Sequence, residues 1–169
     1  MILRSSVAHV RERLRDTRGF MLAEQLVSII FIGLLCIAVA AGLGAAMSSY
    51  AKITLQTQAD AMLSQAVEVV SNELVYALDV TASEDGSLKF TSATLHEDGV
   101  TLVSDATDTG IWLKASSDSC LAPVQDGLAP KIDNLVYDKD ARTWTFHIAI
   151  NSGGKTLAGT TMTVKRIGS

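Results

Sequence analysis

Arg18-Gly19-Phe20-Met21-Leu22-Ala23-Glu24 joins an arginine-rich leader to a long apolar run, and the reading of that junction decides the fold. From Gln25 to Ala51 there is no charged residue, and Leu26 to Met47 is almost wholly Leu, Ile, Val, Ala, Phe, Gly and Met. At about 1.5 Å of rise per residue, roughly 20 residues cross a hydrocarbon core of about 30 Å, so the run is long enough to span a bilayer. A buried core helix would show a polar face over such a length, and this run has none. A glutamate at the mouth of the segment is costly for a plain anchor. It makes sense where the chain is cut after Gly19 and the helix packs beside copies of itself. An ordinary secretory signal has an apolar core of about 7–15 residues with a small-residue cleavage site behind it. The core here is longer, although Gly44-Ala45-Ala46-Met47-Ser48 closes it with small residues. A mature terminus near Met47 or Ser48 removes the helix; one at Phe20 keeps it.

Outward from the junction, charge is unequally shared. The leader carries Arg4, Arg11, Arg13, Arg15 and Arg18 against Glu12 and Asp16, a net +3, while the whole chain is −4, so the residues after Gly19 carry −7. A basic flank inside and an acidic domain outside is the orientation the positive-inside rule expects. An acidic outer domain does not by itself favour a nucleic-acid backbone. The 169 residues suffice for one modest domain beside a membrane segment. The two cysteines cannot form a disulfide framework: Cys36 lies in the apolar run and Cys120 far beyond it. Cys36 reads as a small apolar packer and Cys120 as a leftover thiol.

Along the chain, residues 1–19 read as a cytoplasmic leader outside the mature fold. Residues 20–51 form the membrane half of a helix, with Gly33, Gly42 and Gly44 and a cluster of small residues from Ala38 to Ala46 that reads as a face where neighbouring helices approach, a place where the helix loosens, or both. Residues 52–78 continue it as an amphipathic half. Ala59, Met62, Leu63, Ala66, Val69, Val70, Leu74, Ala77 and Leu78 recur at three- and four-residue spacing, while Gln56, Asp60, Gln65, Glu68 and Asn72 fill other faces. The pattern predicts one helix from about Met21 to Leu78, on the order of 85 Å long. Residues 79–169 change texture to a β head. Leu88-Lys89-Phe90-Thr91 and Val100-Thr101-Leu102-Val103 flank His96-Glu97-Asp98-Gly99 as a hairpin. Gly110-Ile111-Trp112-Leu113 is a third strand, Leu135-Val136-Tyr137 and Trp144 to Ile150 flank a turn, and Ser152-Gly153-Gly154-Lys155 turns the chain into a last strand from Leu157 to Ile167. The expectation is an antiparallel meander of about five or six strands whose apolar face covers the helical stripe. Ser116 to Lys131, with Cys120, Pro123 and Pro130, reads as a loop of about sixteen residues. The fold class is therefore α+β, a long N-terminal helix packed on a small antiparallel sheet.

A basic leader, Gly19-Phe20, a glutamate at the fifth mature position, a membrane-length run and a β head together resemble type IV pilins and the pseudopilins of type II secretion and competence systems. The specific part is short, Gly19 to Glu24 with the run behind it; the head matches only as architecture. The resemblance implies that a prepilin peptidase cuts between Gly19 and Phe20 and N-methylates Phe20, and that Glu24 pairs with the Phe20 amine of a neighbouring subunit. It also implies as partners other pilin or pseudopilin subunits, the membrane platform protein of the assembly machine and the lipid bilayer, with nucleic acid only in a competence system. The location implied is cytoplasmic or inner-membrane as a single-pass prepilin, then an extracytoplasmic, cell-surface filament. Departures from the family pattern point to a minor pilin or pseudopilin. Met21 stands for the commoner threonine or serine, Ala23 for a larger aliphatic, and Gln25 for an apolar residue. No proline interrupts the membrane helix, and the paired C-terminal cysteines of many major pilins are missing.

Enzymatic readings are weaker. His9, His96 and His147 are scattered without zinc spacing. His96-Glu97-Asp98 reads as a solvated turn. Asp105, Asp108, Asp118 and Asp126 lack the spacing of a calcium loop. Asp108-Thr109-Gly110 copies the aspartic-protease tripeptide, but one copy needs a symmetric dimer to share a proton, and the string is ordinary turn chemistry. The expectation is a structural subunit with no catalytic residue, cofactor or metal. The alternative is an uncleaved single-pass membrane protein whose β domain binds a ligand.

Overall fold

The computed structural model describes residues 17–83, 87–104 and 110–167. Its first element is a single helix, α1, Thr17–Val75, 59 residues without a break. Alanine and leucine dominate its sequence, proline is absent, and such composition favours helix throughout. The chain divides between Ala51 and Lys52 into two units, and α1 contributes to both. Every described side chain from Met21 to Ile53 is exposed; beyond Ile53 burial becomes one-sided.

In the second unit, the described residues after α1 form eight strands: β1 (Leu78–Ala82), β2 (Leu88–Ser92), β3 (Glu97–Ser104), β4 (Gly110–Lys114), β5 (Ser119–Pro123), β6 (Ala129–Asp138), β7 (Thr143–Ser152) and β8 (Lys155–Lys165). They make two antiparallel meanders, β1-β2-β3-β4-β5 and β6-β7-β8. The fold is α+β, as the pattern predicts, with more strands and two sheets in place of one.

The helical stripe finds its cover. Ala66, Val70, Leu74 and Ala77 are buried against Phe90, Val100, Ile111, Leu113, Trp144, Phe146 and Ile148 from both sheets. Ala59 packs with Leu128 and Ile150 in a second cluster. Trp144 lies at the centre, edge-on to Phe90 with ring centroids 5.8 Å apart and tilted against Tyr137 at 4.6 Å. These are the favoured geometries of aromatic pairs.

Four boundaries differ from the expectation, each for a physical reason. The helix starts at Thr17, ahead of Met21, and stops at Val75, short of Leu78. At its end Ala77 N bonds Leu74 O, a tighter i−3 turn, Asp79 takes φ of 44°, and Leu78 pairs with Thr91. The expected loop at 116–131 contains β5 and the start of β6. Pro123 and Pro130 disguise it, yet β5 and β6 are both edge strands, where a missing N–H costs no ladder bond. The β2–β3 turn falls at 93–96, and Glu97-Asp98-Gly99, expected in the turn, opens β3.

That last shift traces to one buried carboxylate. Glu73 is only 4% exposed although it lies in phase with the apolar stripe. It accepts hydrogen bonds from Ser92 Oγ at 2.5 Å and Thr94 Oγ1 at 2.7 Å. Ser92 Oγ in turn accepts Leu95 N at 2.9 Å, and the Ser92 carbonyl accepts His96 N at 3.0 Å. The turn is thus pinned to α1. Glu73→Leu leaves two hydroxyls without their acceptor and is expected to cost about 1–3 kcal/mol. Glu73→Gln, which keeps one acceptor oxygen, should cost less; urea unfolding of the detergent-solubilised chain compares the two.

Gly110 opens β4 at φ +117°, and a Cβ there would sit 2.1 Å from the Ala122 carbonyl oxygen of β5. The close approach of the two strands requires glycine. Gly110→Ala is expected to destabilise the domain by about 3 kcal/mol or more, since neither backbone can yield cheaply. An unchanged thermal midpoint would refute the strand contact.

Candidate membrane and assembly helix

The first half of α1 holds the residues the junction singled out. Gly19 and Phe20 are helical; their side chains lie outside the described residues, as do residues 1–16 of the expected leader 1–19. Glu24 follows one turn after Phe20 and is exposed. Helical side chains lean toward the N-terminus, so the Glu24 carboxylate is carried over the turn that begins at Phe20. Among the described residues it has no hydrogen bond or ion pair.

The run behind Glu24 has a mean hydropathy of 2.8 over its best membrane-length window, and none of that window is buried. Phe31 is 68% and Ile37 69% exposed. A core helix of a soluble protein would be covered; this one presents apolar surface on every side, far beyond the scattered exposed apolar residues normal for a monomer in water. One helix is thus long and apolar enough to cross a membrane. The run ends at Tyr50, 73% exposed, and Lys52, an aromatic and a cation of the kind that suit a membrane–water boundary.

Gly33, Gly42 and Gly44 are not required by packing among the described residues, because a Cβ at any of them would meet nothing there within 4 Å. Each costs the helix roughly 1 kcal/mol relative to alanine. Small residues at such positions leave room for another backbone to approach closely. Cys36 is exposed in the same stretch. Ser48 Oγ satisfies itself by donating to Ala45 O at 2.9 Å.

The discounted residues do not converge. His96 ends the β2–β3 turn, His147 sits in β7, Asp118 pairs with Lys114, and Asp126 occupies the turn before β6. His9, Asp105, Asp108 and Thr109 lie outside the described residues, and Gly110 has the strand role given above. Among the described residues no three His, Cys, Asp or Glu side chains gather as a metal-holding group. Cys120, in β5, donates weakly to Ile111 O at 3.8 Å. Burial raises its pKa above the ordinary thiol value, opposed by the Ala122 backbone hydrogen bond, which leaves it a poor nucleophile at neutral pH.

Sequence reasoning missed Glu73. Its phase was the available signal: position 73 falls on the stripe of Ala66, Val70, Leu74 and Ala77, where an apolar residue is expected. No family model, curated protein or solved structure matches this chain at a significant level; its long apolar N-terminal helix followed by antiparallel sheets is compatible with a pilin-like fold.

Proposed function

We propose that the protein is a structural subunit, a minor pilin or pseudopilin, of a type IV pilus, a type II secretion system or a competence pseudopilus. It inserts as a single-pass prepilin with its basic leader in the cytoplasm. A prepilin peptidase then cuts between Gly19 and Phe20 and methylates the new amine. The platform protein of an assembly machine draws the stem out of the bilayer into a helical filament with the head outward. Glu24 answers the Phe20 amine of a neighbouring subunit, and no catalysis is involved.

The observation that supports this best is Glu24, exposed and without a partner among the described residues, at the mouth of an unburied apolar run and one turn after Gly19-Phe20. A carboxylate at that depth needs a cationic partner, and a freed N-terminal amine of a sister chain supplies one at matching depth.

The mature N-terminus tests the reading. Mass spectrometry of the protein from its native host is expected to find methylated Phe20 first. Retention of the arginine-bearing leader with the peptidase present overturns the proposal and leaves the uncleaved single-pass membrane protein. A terminus near Met47 or Ser48 removes both.

A further inference from the structure

Two surface features of the second unit have no role inside it. The first is a pocket of about 220 Å³ between α1 and the turn joining β5 to β6, lined by Gln58, Met62, Gln65, Gln125, Asp126 and Leu128. Its outer wall is firm: Gln125 and Leu128 exchange backbone hydrogen bonds at 3.1 and 2.8 Å around Asp126 and Gly127, both at positive φ. The cavity is smaller than the ~300 Å³ at which small-molecule sites begin, so it suits a single inserted side chain. Its charge is acidic. Asp126 lines it, and Glu68, exposed, continues the Gln65 row of α1 at i+3.

The second feature lies where β8 ends beside the last turn of α1. Ile167 N bonds Val75 O at 2.9 Å, which sets Ile167, 72% exposed, close to Tyr76, 55% exposed. Cations border this apolar pair. Arg166 N bonds Arg142 O at 2.9 Å, Lys165 pairs across the ladder with Thr143, and the Arg166 guanidinium lies over the Tyr137 ring at 5.8 Å. None of the three cations has an ion pair among the described residues. Of the carboxylates in the adjoining turn, Asp138 is occupied by the amides of Asp140 and Ala141, while Asp140 adds one local negative charge.

We infer that these features are the two halves of one contact between copies of this chain: the Tyr76–Ile167 edge of one head inserts into the Gln58–Asp126 pocket of the next, with Arg142 and Lys165 set against Asp126 and Glu68. Apolar projection meets apolar-floored pocket, and basic rim meets acidic rim, in a chain that is otherwise strongly acidic after Gly19. Met62 and Val75 are thirteen residues apart on α1, roughly 20 Å along the axis, so one head cannot close the contact on itself. Two different surfaces make a head-to-tail contact, the kind that builds an open helical assembly when its rotation does not close a ring. This inference rests on the filament reading above and adds the head contact to it.

The test uses the full-length chain in its native host, with Cys36→Ala and Cys120→Ala as background. Gln125→Cys with Ile167→Cys, treated with a short bismaleimide, is expected to give a ladder of multimers, and either cysteine alone is expected to give none beyond a dimer. Asp126→Lys with Glu68→Lys should weaken the ladder about tenfold through like-charge contact, and adding Arg142→Glu with Lys165→Glu should restore it. Filaments of Phe20-terminated subunits that form without a ladder overturn this contact and spare the filament reading. A cross-link to a different protein overturns the second copy as occupant. Absence of leader removal and of filaments in the unmutated protein overturns the filament reading, and this contact with it.

Discussion

Glu24→Leu is expected to leave insertion in the membrane and removal of the leader intact while abolishing incorporation into filaments. The side chain is exposed and makes no hydrogen bond or ion pair among the described residues, so its loss removes none of the polar contacts seen there. On the proposed reading, what it removes is the answer to a neighbour's terminal amine. Two unit charges about 4 Å apart at an effective dielectric near 20 attract by roughly 4 kcal/mol, and desolvation takes back much of that. In that proposal the pair would be a weak glue but a strong register key: a subunit entering out of step would leave an amine and a carboxylate unanswered in an apolar surrounding. Glu24→Asp, which keeps the charge on a shorter stem, should incorporate poorly but detectably. Shearing filaments from cells and comparing the sheared and membrane fractions reads the result. Normal incorporation of the leucine variant would refute the role given to Glu24, and an uncleaved anchor would be indifferent to the change.

Trp144→Ala should have the largest effect on the head. Trp144 has no exposed surface, meets Phe90 and Tyr137 ring to ring, and stands on β7 between β6 and β8. Truncating a buried aromatic of this size costs about 3–5 kcal/mol, against a total stability of about 5–15 kcal/mol for an ordinary domain. The expected outcome is a urea midpoint far below that of the unmutated protein in the same detergent, with the fluorescence of Trp112 as reporter. Trp144→Phe should be mild. It keeps a ring in the cavity and deletes an indole N–H that is buried without a hydrogen-bond partner among the described residues. A loss under about 1 kcal/mol for the alanine variant would contradict the central position of Trp144.

The candidate assembly site was legible early because its signals are local. A charge-free run, a basic flank and a glutamate can be read by counting along the chain, and burial in lipid imposes composition without regard to distant contacts. The stripe from Ala59 to Ala77 was legible for a similar reason, since a helix that buries one face must repeat its apolar residues every three or four positions. The strands were harder. Trp144 to Ile150 alternates cleanly and β7 lies there, whereas Ser119 to Pro123 alternates weakly, carries a proline and reads as loop. It becomes a strand because β4 lies beside it and its own outer edge can tolerate Pro123. The pocket at Gln58 and Gln125 and the Tyr76–Ile167 edge were invisible, because each joins residues far apart in the chain.

By itself, the sequence determined that this protein has one continuous helix, apolar on all sides before Ala51 and one-sided after Lys52, followed by antiparallel strands. Those properties follow from side-chain hydropathy at a fixed helical or strand period. Only the tertiary structure decided that the strands divide into two sheets, that the β2–β3 turn falls at 93–96, and that a carboxylate belongs in the core. Those outcomes depend on which distant groups meet: the Glu73 carboxylate fixes Ser92 and Thr94 across eighteen intervening residues or more, and a hydrogen bond of that kind leaves no periodic trace in the chain that makes it.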